Sequence, residues 1–143
     1  MKKLILSIMF MGLFSLTTSA QEIGIRFGDV TGGKVAIDAV FSAGKYSRLH
    51  ADVSFGDGVG VDLLWDFIYR PLGDDGLMWY LGVGPNAYLS DPFALGVVGE
   101  IGLEYRFKKA PIVIGADWRP NFILVETTDF VADSFGLNVR YVF

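Results

Sequence analysis

Residues 95–107 read LGVVGEIGLEYRF, and their polarity alternates with a period of two. Apart from one glycine, the odd positions are apolar or aromatic, whereas Glu100, Glu104 and Arg106 stand at even positions among glycine and valine. Successive side chains of a β-strand point to opposite faces of the sheet. The stretch is therefore predicted to be a strand with one apolar and one charged face, and residues 135–143, FGLNVRYVF, repeat the pattern.

The chain on either side of these two stretches divides into similar segments. They are separated by breaks rich in glycine, aspartate and proline, which favour turns. The predicted strands lie near 22–29, 34–42, 46–55, 59–70, 77–88, 94–107, 112–125 and 134–143. Most of them have about the nine to eleven residues that a tilted membrane-spanning strand requires. The predicted fold class is all-β, an eight-stranded antiparallel up-and-down transmembrane barrel.

The first 20 residues are predicted to be a cleaved signal peptide. Lys2 and Lys3 precede an apolar run over 4–16, and small residues lead to Ala20 before Gln21. The run is too short for a transmembrane helix, which needs about 20 residues. The predicted organisation is a signal peptide at 1–20 and an outer-membrane β-barrel domain at 21–143. The chain has no cysteine, which excludes a lipoprotein anchor and disulfides.

Composition narrows the class of protein further. Removal of residues 1–20 takes away two lysines, so the net charge falls from −4 to −6, and an acidic chain argues against a nucleic-acid partner. Beyond residue 20 no apolar stretch is long enough for a transmembrane helix, yet 52% of the residues are hydrophobic and 15% aromatic. The chain therefore needs a fold that accommodates many apolar residues without helices.

Alternation alone does not say which face of the barrel lies inside. A soluble lipocalin-like barrel has its apolar face inside, around a ligand, whereas a membrane barrel turns it outward to lipid. An eight-stranded lumen is only just wide enough to be filled by side chains. The aromatic residues of the apolar face would overfill it, which predicts that they point outward. They are Phe27, Phe41, Phe55, Trp65, Phe67, Tyr69, Trp79, Tyr105, Phe107, Trp118, Phe122, Phe135, Tyr141 and Phe143.

The polar face combines charge with glycine. Its charges are of both signs in near-equal number, which suits a buried network of ion pairs across the lumen. They are Glu22, Asp38, Asp52, Asp62, Asp66, Glu100, Glu104 and Asp117, with Arg26, Lys34, Arg48, Arg70, Arg106, Arg119, Arg140 and His50. Glycine weakens a strand, but inside a narrow barrel it leaves room for a long Arg or Glu from across the lumen. The glycines are Gly24, Gly28, Gly60, Gly82, Gly84, Gly96, Gly102, Gly115 and Gly136.

The C-terminal alternation of Phe135, Leu137, Val139, Tyr141 and Phe143 resembles the β-signal that the barrel-assembly machinery reads in outer-membrane proteins. The whole of 21–143 is similar in pattern to small eight-stranded barrels such as the OmpA transmembrane domain and OmpX. The short loops and the junction before Gln21 are similar to the versions found in Bacteroidota. The resemblance implies location in the outer membrane of a Gram-negative bacterium, contact with lipid and lipopolysaccharide, and both termini in the periplasm.

Candidate chemistry centres on the only histidine. His50, Asp52 and Ser54 share one face of one strand, an arrangement that invites a hydrolase interpretation. Ser54 would lie about 13 Å from His50 along the strand, whereas a nucleophile and its base need about 3 Å. A working pair would have to recruit Ser134 or Asp38 from another strand. The acid pairs Asp62/Asp66 and Glu100/Glu104 are interpreted as members of the charge network.

The sequence thus predicts a non-catalytic protein with no catalytic residue, cofactor or metal site. The lumen is expected to be plugged, because eight strands leave no aqueous passage once long side chains fill it. The expected role is structural, or that of a small subunit packed against a larger outer-membrane complex. Two alternatives stay open: a soluble periplasmic barrel that binds lipid or a small ligand, and an outer-membrane lipid-modifying enzyme.

Overall fold

The structure, a computed structural model, describes residues 21–73, 76–125 and 128–143. The predicted signal peptide at 1–20 lies outside these residues. No helix within them is long and apolar enough to cross a membrane. The described chain forms strands, which are β1 Glu22–Val30, β2 Gly33–Ser42, β3 Arg48–Phe55, β4 Val59–Pro71, β5 Leu77–Leu89, β6 Ala94–Arg106, β7 Ile112–Trp118, β8 Asn121–Ile123, β9 Asp129–Val131 and β10 Phe135–Val142.

These strands close into an eight-stranded antiparallel barrel, which confirms that part of the predicted fold class. Each strand from β1 to β6 pairs with the next strand in the chain. β7 pairs with β10, and β10 returns to pair with β1 from Glu22 opposite Val142 to Gly28 opposite Gly136. We call the end with Gln21 and Phe143 the terminal mouth, and the opposite end the loop mouth.

The seventh wall strand, predicted over 112–125, is interrupted at Pro120, which has no backbone N–H to donate. The backbone N–H of Gly99 donates to the carbonyl of Pro120, and that of Arg119 donates to the carbonyl of Ser134. Ile101 faces Trp118 and Val98 faces Asn121, so the register along β6 is unbroken. β7 and β8 are therefore one wall strand. A further difference is β9, which pairs with β8 inside a segment predicted to be a turn.

The apolar face of the barrel lies outside. In β10, Phe135 is 63% exposed and Leu137 61%, whereas Asn138 is 0% and Arg140 1% exposed. The same alternation runs through β6, where Glu100 and Glu104 are buried and Ile101 and Leu103 are exposed. Two of the predicted inner-face glycines lie under a long side chain, but it comes from a neighbouring strand and not from across the lumen: Gly136 lies under Arg26 of β1, and Gly102 under Tyr80 of β5. At Gly24, Gly28, Gly60 and Gly84 an added Cβ would first meet backbone atoms.

A bulge in β4 overturns one part of the predicted pattern. The register with β5 shifts between Asp66 and Ile68, so the alternation reverses beyond that point. The Tyr69 hydroxyl therefore reaches the lumen, where it donates to Glu104 Oε1 at 2.8 Å, and Arg70 is exposed. The placement of Tyr69 on the outer face and of Arg70 in the lumen was wrong.

Lys34 also lies outside the buried network. It is near the start of β2, is exposed, and lines a cavity at the loop mouth instead of facing a buried acid. Arg106, with 36% of its side chain exposed, occupies the corresponding position at the terminal mouth, where it contacts Glu22. The buried part of the lumen therefore holds fewer cations than the alternation predicts.

Candidate functional site: the charged lumen

The lumen between the two mouths is filled by buried charged side chains. Eight carboxylates and four arginines are at most 5% exposed, and His50 is fully buried. The carboxylates are Glu22, Asp38, Asp52, Asp62, Asp66, Glu100, Glu104 and Asp117, and the arginines are Arg26, Arg48, Arg119 and Arg140. Most occupy alternate positions on their strands, which is why β1, β3, β4 and β6 each contribute two or three of them to one face.

Arg140 of β10 links three strands. Its Nε donates to Glu22 Oε2 at 2.8 Å, its Nη1 to Asp38 Oδ2 at 3.1 Å, and its Nη2 to Glu104 Oε2. The planar guanidinium presents its donors as a fixed fork, so one arginine can satisfy several carboxylates at once. Because all four side chains are buried, each charge depends on these partners instead of on water.

Arg119, on the other side of His50, also contacts several carboxylates. Its Nε donates to Glu100 Oε2 at 3.0 Å and its Nη1 donates to Asp52 Oδ2. It also lies 3.7 Å from Asp62 Oδ2 and 3.6 Å from Asp117 Oδ1. One cation thus offsets part of the charge of four carboxylates.

Arg48 and Arg26 complete the set of buried cations. Arg48 Nε donates to Asp66 Oδ2 at 2.7 Å, and its Nη1 to Glu104 Oε2 at 3.0 Å. Arg26 Nε donates to Asp117 Oδ1 at 3.0 Å, and its Nη1 to the carbonyl of Asp29 at 2.8 Å. Arg26 belongs to β1 and Asp117 to β7, so the guanidinium crosses Gly136 of the intervening β10 to reach its partner.

This crossing predicts a sharp steric requirement at Gly136. A Cβ there would lie 2.4 Å from the Arg26 guanidinium carbon. We expect Gly136→Ala to lower the free energy of unfolding by about 1–3 kcal/mol, since buried overpacking has costs of that order. Equilibrium urea unfolding of the purified protein measures the change.

Gly99→Ala is the matched control, because Gly99 is also on a wall strand but its nearest added contact is Pro120 Cγ at 3.7 Å, an ordinary distance. It should change stability by less than about 0.5 kcal/mol. An equal loss in both variants would show that strand glycines matter for a reason other than room for Arg26.

His50 lies at the centre of the lumen, between two acids on opposite sides of its ring. Its Nδ1 is 3.0 Å from Glu100 Oε1, and its Nε2 contacts Asp38 Oδ1. The ring of Tyr80 meets the imidazole edge-on at a centroid distance of 6.3 Å. A neutral imidazole has one N–H and can donate to only one of the two carboxylates. The other contact needs a second proton or another cation.

The hydrolase arrangement considered from the sequence is not assembled. The Ser54 hydroxyl donates to the carbonyl of Thr31, and Asp52 accepts from Arg119. Of the partners considered for recruitment, Asp38 does reach His50, whereas Ser134 supplies a backbone carbonyl to Arg119. Within the described residues no serine hydroxyl is hydrogen-bonded to His50, and its ring nitrogens contact Glu100 and Asp38.

The near-equal charge balance predicted for the lumen was wrong. With Lys34 and Arg70 exposed, the eight buried carboxylates face four buried arginines, half-buried Arg106 and His50. Three carboxylate oxygens in this region are buried and accept no hydrogen bond: Asp52 Oδ1, Asp62 Oδ1 and Asp66 Oδ1. The lumen therefore carries more negative charge than its side chains offset.

Cavities are found at both mouths. The cavity at the loop mouth has a volume of about 450 Å³ and is lined by Lys34, Asn86, Tyr88 and Asn121 among others. The cavity at the terminal mouth has a volume of about 90 Å³ and is lined by Glu22, Arg48, Tyr69 and Arg106 among others. The charged residues described above lie between them.

In comparisons with known proteins, no family model, no curated protein and no solved structure matches the chain.

Proposed function

We propose that this chain is a small integral outer-membrane β-barrel protein of a Gram-negative bacterium, with a plugged polar lumen and a structural or complex-subunit role without catalysis. The observation that carries the proposal is the distribution of side chains, which is the reverse of that in a soluble protein: polar residues are inside and hydrophobic residues are outside. Among the described residues, 31 large hydrophobic side chains are exposed, whereas only six hydrophobic residues are buried beside 17 polar or charged ones. An apolar surface of this extent marks contact with a membrane or another protein.

The geometry of the wall supports lipid as the medium around it. A lipid-embedded protein must satisfy its backbone N–H and C=O groups internally, and a closed barrel does so without leaving a strand edge. Here β1 pairs with β10 and β5 with β6, so the wall closes on itself. In water the same apolar wall would favour aggregation.

Aromatic residues mark both rims of the apolar wall. At the terminal mouth, Tyr105 packs edge-to-face with Phe107 at 5.0 Å, and Tyr141 with Phe143 at 5.2 Å. At the loop mouth, Phe122 and Phe130 pack with centroids 4.5 Å apart. Membrane barrels carry such aromatic girdles at the two interfaces of the bilayer.

The proposed partners follow from this placement. The outer wall would contact lipid and lipopolysaccharide, and the outward alternation from Phe135 to Phe143 would be read by the barrel-assembly machinery. Loops are short, so the broad apolar wall is the larger surface available for contact with a bigger outer-membrane complex. A soluble barrel that binds an apolar ligand would need an apolar lumen, whereas the lumen of this barrel is lined by buried charges. A lipid-modifying enzyme would need its chemistry at the outer surface, whereas His50 lies at the centre of the lumen.

The proposal predicts fractionation with membranes and a heat-dependent electrophoretic mobility. The protein should stay in the outer-membrane pellet after an alkaline carbonate wash. After detergent extraction, unboiled samples should migrate differently from boiled ones, since a closed barrel resists detergent until heated. Recovery in the soluble periplasmic fraction without detergent would contradict the proposal and favour the soluble alternative.

A further inference from the structure

Three buried side chains in the lumen each place one possible metal-ligand atom close to the others. A ring nitrogen of His50 and one carboxylate oxygen each from Asp66 and Glu100 lie within 4.8 Å of one another, and all three residues are buried. The Nδ1 side of His50 faces Glu100, with Nδ1 at 3.0 Å from Oε1. The residues come from β3, β4 and β6, so their meeting is a product of the barrel's closure and not of any local motif.

Each of these side chains also has a polar atom that is held by another partner. Asp66 Oδ2 accepts from Arg48 Nε at 2.7 Å, and Glu100 Oε2 accepts from Arg119 Nε at 3.0 Å. The other ring nitrogen of His50 contacts Asp38. This is the arrangement that surrounds metal sites, where a carboxylate orients the ligating histidine and further hydrogen bonds orient the ligating carboxylates.

Asp66 also has an oxygen without a hydrogen-bond partner. Asp66 Oδ1 is buried and accepts no hydrogen bond. A buried carboxylate oxygen without a partner has lost its hydrating water, and no hydrogen bond within the protein compensates for that loss. The lumen also contains more carboxylates than arginines. A bound dication would offset two of the negative charges that no side chain offsets.

From this convergence we propose that the barrel binds a divalent transition-metal ion of the zinc class through His50 Nδ1, Asp66 Oδ1 and Glu100 Oε1. One imidazole nitrogen with two carboxylate oxygens is a ligand set that zinc accepts. Ligand atoms of a tetrahedral zinc site lie about 3.3 Å apart, given bonds of about 2.0–2.1 Å. The 3.0 Å between Nδ1 and Oε1 is close to that spacing.

The opposite side of the His50 ring is the weaker site, although Asp38 and Asp52 also lie within 4.8 Å of it. Arg119 Nη2 is 3.4 Å from His50 Nε2, and Arg119 Nη1 already bonds the Asp52 oxygen nearest the ring. A second cation there would meet the guanidinium directly. The cluster with Glu100 instead contains Asp66, one oxygen of which accepts no hydrogen bond.

Arg48 links the cluster to the terminal mouth. The cavity of about 90 Å³ at that mouth is lined by Arg48, and Arg48 in turn holds Asp66.

Titration with Co²⁺ tests the site, because its visible absorption reports coordination by protein ligands. Untagged protein, purified in detergent and stripped with a chelator, is expected to take up one equivalent of Co²⁺ and to release it to Zn²⁺. Asp66→Asn should weaken Co²⁺ binding by at least about 10-fold, as should Asp38→Asn, which removes the partner of the ligating histidine.

Asp62→Asn is the matched control, since Asp62 is an equally buried lumen acid that does not belong to the cluster. It should leave Co²⁺ affinity unchanged. Heat-dependent mobility verifies that each variant folds, and Glu100→Gln replaces Asp66→Asn if the latter does not. Absence of stoichiometric uptake by the unmodified protein, or equal weakening by the Asp62 variant, would overturn the proposal.

Discussion

Replacement of Ile101 by arginine is expected to lower the free energy of unfolding of the lipid-embedded barrel by about 2–4 kcal/mol. Ile101 lies near the middle of β6 and points outward with 43% of its surface exposed. In a bilayer this position would lie near the midplane, where a charged side chain has lost its water. On a soluble barrel the same substitution would replace an exposed apolar side chain with a hydrated one and would be neutral or stabilising.

The matched control is Leu95→Arg on the same strand. Leu95 is also outward-facing, but it is the second residue of β6, next to the loop mouth. An arginine near the interface can reach water, so the cost should fall to about 0–1 kcal/mol. Urea unfolding in lipid vesicles measures both variants. Equal effects at the two positions would contradict a lipid-facing wall, because depth would then have no influence.

Replacement of Arg140 by methionine is expected to destabilise the barrel by about 3–5 kcal/mol, the cost of removing one partner from a buried ion pair. Methionine keeps the unbranched chain but leaves Glu22, Asp38 and Glu104 without the cation that all three contact. The three carboxylates would remain in a lumen that already has too few cations. Chemical unfolding, with folding yield measured by heat-dependent mobility, gives the size of the loss.

Arg70→Met provides the comparison. Arg70 is an arginine of the same barrel, but it is exposed and packs over the ring of Tyr46 at 4.6 Å. Loss of that contact should cost no more than about 1 kcal/mol. An equal loss of stability in the Arg70 and Arg140 variants would contradict the prediction, because it would show that contacts within the buried network do not make Arg140 more important than an exposed arginine.

Much of the wall could be predicted from sequence because the side-chain period of a strand is two. The alternation in 95–107 and 135–143 identified which residues face inward, and those residues are the buried ones in β6 and β10. The bulge in β4 broke this rule for Tyr69 and Arg70. Adjacent apolar residues such as Phe67 and Ile68 did not signal the bulge, because Val97 and Val98 are also adjacent and apolar and the register there is unbroken.

The contacts inside the lumen could not be predicted in the same way. Alternation gives the face of each residue, but the partner depends on register and on the tilt of strands around the barrel. His50 and Asp66, for example, are on paired strands, whereas Glu100 reaches them from β6. The sequence placed Asp52 and Ser54 on the face of His50 and offered Asp38 as a partner from another strand. The closed barrel brings Asp38 and Asp52 to the ring but not the Ser54 hydroxyl, and it adds Asp66 and Glu100, which the sequence did not connect with His50.

Quenching of tryptophan fluorescence by lipids brominated in the middle of their acyl chains tests the lipid-facing wall most directly. The chain has three tryptophans, Trp65, Trp79 and Trp118, and all belong to the outer face, where Trp65 is 53% exposed. In vesicles of brominated lipid we expect blue-shifted emission and strong quenching relative to the same lipid without bromine. Emission that is unchanged by bromination, from protein that remains in solution, would contradict the account.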